Sequence, residues 1–102
     1  MNNPSFEQVR MLVKQYHEEN GDTNVRLIKK LTAQDIWYDE NGNPFKVERE
    51  AYLVRFECAK RFRFSGIDTL KYDSHGEPYI TEFCSDFSRN ENEMIADWMA
   101  ES

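Results

Sequence analysis

From Ala51 to Phe64 the chain alternates. Tyr52, Val54, Phe56, Cys58, Phe62 and Phe64 hold even positions, and Arg55, Glu57, Arg61 and Arg63 hold odd ones. A period of two sends successive side chains to opposite faces of a pleated sheet. The pattern therefore predicts one central strand with an apolar face toward a core and a charged face toward water. A helical reading fails, because Phe56, Lys60 and Arg63 would share a face.

Upstream the period is helical. Phe6, Val9, Leu12, Val13 and Tyr16 fall on one stripe, Asn3 or Ser5 can cap the helix, with Gln8 three residues after Ser5 completing a capping box, and Asn20-Gly21 supplies a left-handed stop. From Thr23 to about Ala33 alternation returns, with Val25, Leu27 and Leu31 against Arg26 and Lys30, and a short run Ile36 to Tyr38 follows.

The segment Tyr38 to Phe45 recurs, at an offset of 34, as Tyr72 to Tyr79, both reading Y-D-x-x-G-x-P-aromatic. Asp39 and Asp73 are placed to open type I turns by bonding their own backbone. Gly42 and Gly76 supply the positive φ that closes such turns, and Pro44 and Pro78 begin the returning strands. The match extends no further, so it predicts two similar hairpins and no duplicated domain. Between Val47 and Tyr52 the apolar phase slips, which predicts a bulge near Arg49 and Glu50. Ser65-Gly66 reads as a further turn.

A second hairpin, from Ile67 to Phe87, follows, with Glu82 and Asp86 facing Arg61 and Arg63. A last helix opens at Ser88 or Asn90 and presents Met94, Ile95, Trp98 and Met99. The expected fold is α+β over residues 1–102 as one domain. It comprises an N-terminal helix, a four- or five-stranded antiparallel sheet built from two hairpins, and a C-terminal helix, with both helices on one sheet face.

Charge changes this picture only at the C-terminal end. Residues 1–23 hold 2 basic and 4 acidic side chains, residues 24–63 hold 9 and 6, and residues 64–102 hold 2 and 9. With no run of about 18 apolar residues and no export-signal core near Met1, the expectation is a cytoplasmic protein without a membrane span. Cys58 and Cys84 lack the flanking spacing of zinc ligands and read as free thiols in the core.

Candidate chemistry is sparse, and the expectation is no catalytic residue, no metal and no cofactor. Asp39, Asn41, Asn43 and Glu50 echo a calcium loop, but Pro44 stands where that loop needs glycine. His17 sits in the last turn of the first helix, where an imidazolium meets the helix dipole favourably. His75 lies at a hairpin tip with no positioned nucleophile beside it. Cys84, Ser85 and Asp86 alternate faces and form no relay. Two surfaces remain. The carboxylates Asp73, Glu77, Glu82, Asp86, Glu91, Glu93 and Asp97 would present an acidic surface to a protein with a basic one, and Trp37 and Tyr38 would anchor the contact. Alternatively, Lys29, Lys30, Arg55, Arg61 and Arg63 would hold nucleic-acid phosphates on the basic face of the central strand.

No family motif is carried. The element order resembles that of double-stranded RNA-binding domains and of several small phage inhibitors of bacterial nucleases, a likeness of layout only. The lysine-rich start of the final helix that RNA binding would want is replaced by Glu91 and Glu93. The leading expectation is thus a non-catalytic binding module or inhibitor, directed at a nucleic-acid-handling enzyme such as a phage-defence nuclease. A bare edge strand would also allow a homodimer.

Overall fold

The computed structural model describes residues 4–58, 63–85 and 90–100, with Arg63 described by its backbone alone. The elements run α1 (Phe6–Glu19), β1 (Thr23–Tyr38), β2 (Pro44–Glu57), β3 (Arg63–Tyr72), β4 (Pro78–Ser85) and α2 (Glu91–Ala100). The four strands form one antiparallel sheet in chain order, β1-β2-β3-β4, so the fold is α+β.

Local chemistry sets the helix ends as expected. The Ser5 hydroxyl accepts from the Gln8 N–H, and the side-chain Oε1 of Gln8 accepts from the Ser5 N–H at 2.7 Å; Asn3, the other candidate cap, lies outside the described residues. At the other end Gly21, with φ 89°, lets its N–H reach the Glu18 carbonyl at 3.0 Å while the Asp22 N–H reaches that of His17 at 2.9 Å. This double closure satisfies carbonyls that a helix end otherwise leaves bare. For α2, the Asn90 carboxamide oxygen accepts from the Glu93 N–H at 2.8 Å. Ser88, the other candidate cap, lies outside the described residues.

The two repeated turns have the same bonds. Asp39 Oδ1 accepts from Asn41 N–H and Asn43 N–H, and Asp73 Oδ1 accepts from His75 N–H and Glu77 N–H, all at 2.8–2.9 Å. Gly42 and Gly76 have φ of 80° and 79°.

The central segment departs from expectation. Residues 51–64 are not one strand: β2 ends at Glu57, β3 begins at Arg63, and Phe56 faces Phe64 across the ladder, their rings stacked with centroids 5.7 Å apart. Ser65-Gly66 is no turn either, because Gly66 opposes Val54 within the sheet. Its missing Cβ has a packing reason: a methyl there would stand 3.1 Å from the Cys84 carbonyl oxygen and 3.3 Å from the Phe56 ring. Nor does β2 slip near Arg49 and Glu50. It pairs with β1 without a break from Pro44 to Leu53, and the register shifts fall in β1, between Thr23 and Arg26 and between Leu27 and Lys29. Strand β1 also runs unbroken through Ile36 to Tyr38.

Both faces of the sheet are covered, by different helices. Val9 and Val13 of α1 pack with Tyr52, Val54, Phe56, Leu70 and Ile80. Met94 and Trp98 of α2 pack with Leu31, Ala33, Ala51, Leu53 and Ile67. The helices therefore lie on opposite faces, and the supposed wet face of the central strand is the seat of α2. The apparent phase change near Arg49 is a change in which face is covered. The consecutive run Ala51 to Val54 is buried throughout, as a strand covered on both sides should be.

Candidate partner-binding site

Strand pairing splits at one end of the sheet. Strands β2 and β3 pair from Glu57 and Arg63 to Ala51 and Thr69 and no further, while β1 and β2 continue together to Tyr38 and Pro44, and β3 and β4 to Tyr72 and Pro78. Beyond Ala51 the sheet is a fork of two hairpin arms, each closed by one copy of the repeated turn. The longer arm contributes to a molecule 52 Å in its longest dimension.

The fork gathers exposed apolar side chains. Among the described residues, ten large apolar side chains are exposed, and Ile36, Trp37, Tyr38, Phe45, Tyr72 and Tyr79 on the two arms are six of them. Trp37 is 52 % and Tyr38 68 % exposed, so both members of the expected aromatic pair reach solvent. They do so on opposite sheet faces. Trp37 meets Phe45 edge-on with centroids 6.4 Å apart, and its indole N–H donates to Asp35 Oδ2 at 3.2 Å. Between the arms lies a cleft of about 610 Å³ whose walls include Trp37, Val47, Glu48, Lys71, Tyr72 and Tyr79.

Charged groups line the base of the fork. Lys30 Nζ donates to Glu50 Oε1 at 2.9 Å, and this bond holds the ammonium pKa above its ordinary value. Nearby, desolvation and then the Glu50 charge push the Tyr52 and Tyr72 phenols up.

The expected acidic surface is spread over three places. Asp73 and Glu77 are at the shorter arm's tip, with Asp73 serving the turn. Glu82 accepts from the Ser85 hydroxyl at 2.5 Å on β4. Glu91, Glu93 and Asp97 are on α2, where Glu91 accepts from Arg55 Nε at 2.6 Å and from the Ser65 hydroxyl at 3.2 Å. The expected phosphate-binding set is divided too. Lys29 opposes Leu53 on the α2 face, whereas its neighbour Lys30 opposes Tyr52 on the other. Arg55 is held by Glu91 and Lys30 by Glu50. Asp86 and Arg61 lie outside the described residues, as does the side chain of Arg63.

Comparison with protein-family models, with curated proteins and with solved structures finds no match.

One buried cluster was not anticipated. His17 turns into the core, 1 % exposed, with Nδ1 2.9 Å from Asp22 Oδ2 and Nε2 2.7 Å from Asp68 Oδ2. Burial alone would lower the imidazole pKa, but the hydrogen bonds and charges of Asp68 and then Asp22 outweigh it, and the net shift is upward. Its expected role at the helix dipole gives way to this ion pair. Phe56 covers the ring, with centroids 4.3 Å apart. A cluster sealed in this way ties α1 to β3 and offers no surface to a substrate. Among the described residues no three metal-ligating side chains converge on one point, Cys58 and Cys84 are half-buried thiols, and no helix is long and apolar enough to cross a membrane.

The exposed arm aromatics Phe45, Tyr72 and Tyr79, of which the last two line the cleft, escaped the sequence reading, although a signal was present. With Tyr38 they are the first and last positions of the repeated motif.

Proposed function

We propose that this protein is a non-catalytic protein-binding module that holds its partner on the forked end of the sheet. The observation that carries this reading is the concentration of exposed aromatic and aliphatic side chains on the two arms. Apolar exposure concentrated in this way costs solubility and typifies interaction sites. Asp39, Glu40, Asp73 and Glu77 at the two tips favour a partner with a basic surface, and a nucleic-acid-handling enzyme fits that chemistry. Inhibition would follow if the fork occupied the groove in which such an enzyme binds phosphates. The nucleic-acid-binding alternative draws less support, because Lys30 and Arg55 are engaged by carboxylates and Lys29 lies on the opposite face from Lys30.

The test is affinity capture from the source cell, mass-spectrometric identification, and reconstitution with the purified partner. A Trp37→Ala, Tyr72→Ala variant that keeps its melting temperature and loses the partner supports the reading. A complex that survives this variant, or that depends instead on Glu93 and Asp97, overturns it.

A further inference from the structure

The cleft between the arms has a backbone wall as well as aromatic ones. The Asp39 N–H donates to the Asn43 carbonyl at 3.0 Å, which places this pair at a hydrogen-bonding position of the ladder, although the Asn43 N–H itself goes to Asp39 Oδ1. In an antiparallel ladder such pairs alternate with pairs whose N–H and C=O groups point outward. Phe45, Val47 and Arg49 therefore bond to β1, while the peptide groups of Lys46, Glu48 and Glu50 point away from it. Beyond Ala51 strand β3 is no longer alongside to receive them. By the same alternation from Asp73 and Glu77, the peptide groups of Leu70 and Tyr72 face the cleft from its other side.

The remaining edges are guarded, which singles this one out. On the outer side of β1 the Ile36 N–H is taken at 2.9 Å by Asp35 Oδ1, and two register shifts with Lys29 and Lys30 interrupt the rest. On the outer side of β4 stands Pro78, which has no N–H to offer. Lysines, prolines and irregularities of this kind are how exposed edges avoid pairing. From Lys46 to Glu50, β2 has only side-chain charges and no such irregularity.

We infer that the cleft receives an extended, basic segment of the partner protein as an added strand paired to β2 between Lys46 and Glu50. The inference rests on the protein-binding reading of the fork and specifies the ligand. Main-chain bonds would supply affinity, and alternate side chains would supply specificity. On the α2 face the added strand would meet Val47, the rings of Trp37 and Tyr79, and the cations Arg49 and Lys71, so its residues on that side should be apolar and uncharged. On the opposite face it would meet Glu48, with Glu50 beside it already paired with Lys30. The segment recognised should thus alternate apolar and cationic residues, and the carboxylates at both tips extend the preference for cations.

The probe is an acetylated, amidated peptide of about eight residues alternating Val and Lys, a typical strand length, titrated into the isotope-labelled full-length protein. Amide shifts and slowed exchange concentrated at Lys46, Glu48 and Glu50 are expected. Two isomers with N-methyl groups on alternate residues keep charge and composition but remove one row of donors each. One of them should bind at least about tenfold more weakly, since several backbone bonds are lost together. Glu48→Lys should weaken binding of the unmethylated peptide without lowering the melting temperature. Absent binding, equal binding of both methylated isomers and the parent, or shifts mapping to α2 or the outer edge of β1 would each overturn the added strand. A partner whose capture depends on Trp37 and Tyr72 while no alternating peptide binds would remove the strand and leave the surface reading intact.

Discussion

His17 of α1 and Asp68 of β3, 51 residues apart in sequence, meet at 2.7 Å with 1 % and 0 % of their side chains exposed. The second imidazole nitrogen goes to Asp22, whose position is fixed by the Gly21 helix stop. A helix cap, a helix interior and a strand are thereby joined through one ring. Asp68 Oδ1 finds no donor among the described residues, so His17 is the group on which this buried carboxylate depends.

Removing either partner should be costly. Breaking a buried ion pair strands the other charge and typically costs about 3–5 kcal/mol. Both His17→Ala and Asp68→Ala should therefore lower the melting temperature by more than about 10 °C for a domain of this size. The double variant should lose much less than the two single losses added together, because they act on one interaction. Thermal denaturation of the three variants at one pH measures this.

The pair also sets a pH dependence. Because the folded-state pKa of His17 is raised, the native state binds more protons than the unfolded one, and stability falls as pH rises through that window. The stabilisation is complete below the ordinary imidazole pKa, about 6.5, and disappears above the raised value. Asp68, held up by desolvation, acts in the same direction at lower pH. The stability advantage of the wild type over His17→Gln should therefore shrink as pH rises above about 6.5. Denaturant titrations of both proteins across that range would show it, and an advantage that grows with pH would refute it.

Gly42 and Gly66 should both resist substitution, for different reasons. At Gly42 a methyl would meet nothing within 4 Å, and only the positive φ of 80° opposes it. Gly42→Ala should cost about 1 kcal/mol, and a D-alanine, which favours positive φ, should restore it. At Gly66 the obstacle is the Cys84 carbonyl oxygen and the Phe56 ring, so L-alanine should cost about 1–3 kcal/mol through overpacking. D-alanine should give no rescue there. Chemical synthesis of the four proteins and their melting curves make the comparison.

On the fork, side chains should matter for binding and little for folding. Trp37→Ala and Tyr79→Ala remove exposed rings and should shift stability by less than about 0.5 kcal/mol. Trp98→Ala, which empties a fully buried site under α2, should cost about 3–5 kcal/mol. Parallel thermal melts and partner capture separate the two classes.

Composition and periodicity determined the element types and both turns and narrowed each helix cap to two candidates, because each is settled within a few residues by a capping side chain, a glycine φ or an alternation. Tertiary structure decided the rest. Tyr52 opposes Asp68 and Phe56 opposes Phe64, so partners share parity and the period of two passes unchanged through the reversal between β2 and β3. Alternation cannot reveal such a hairpin. The run Ala51 to Val54 held the trace of a strand covered on both faces, but which helix takes which face depends on how the whole chain packs. His17 gave no local sign of Asp68, because a buried ion pair is made by elements that meet only in the fold. The aromatic ends of the repeated turn were visible as a motif, but the fork that gathers them at one end of the sheet exists only because β2 and β3 part at Ala51 and Thr69.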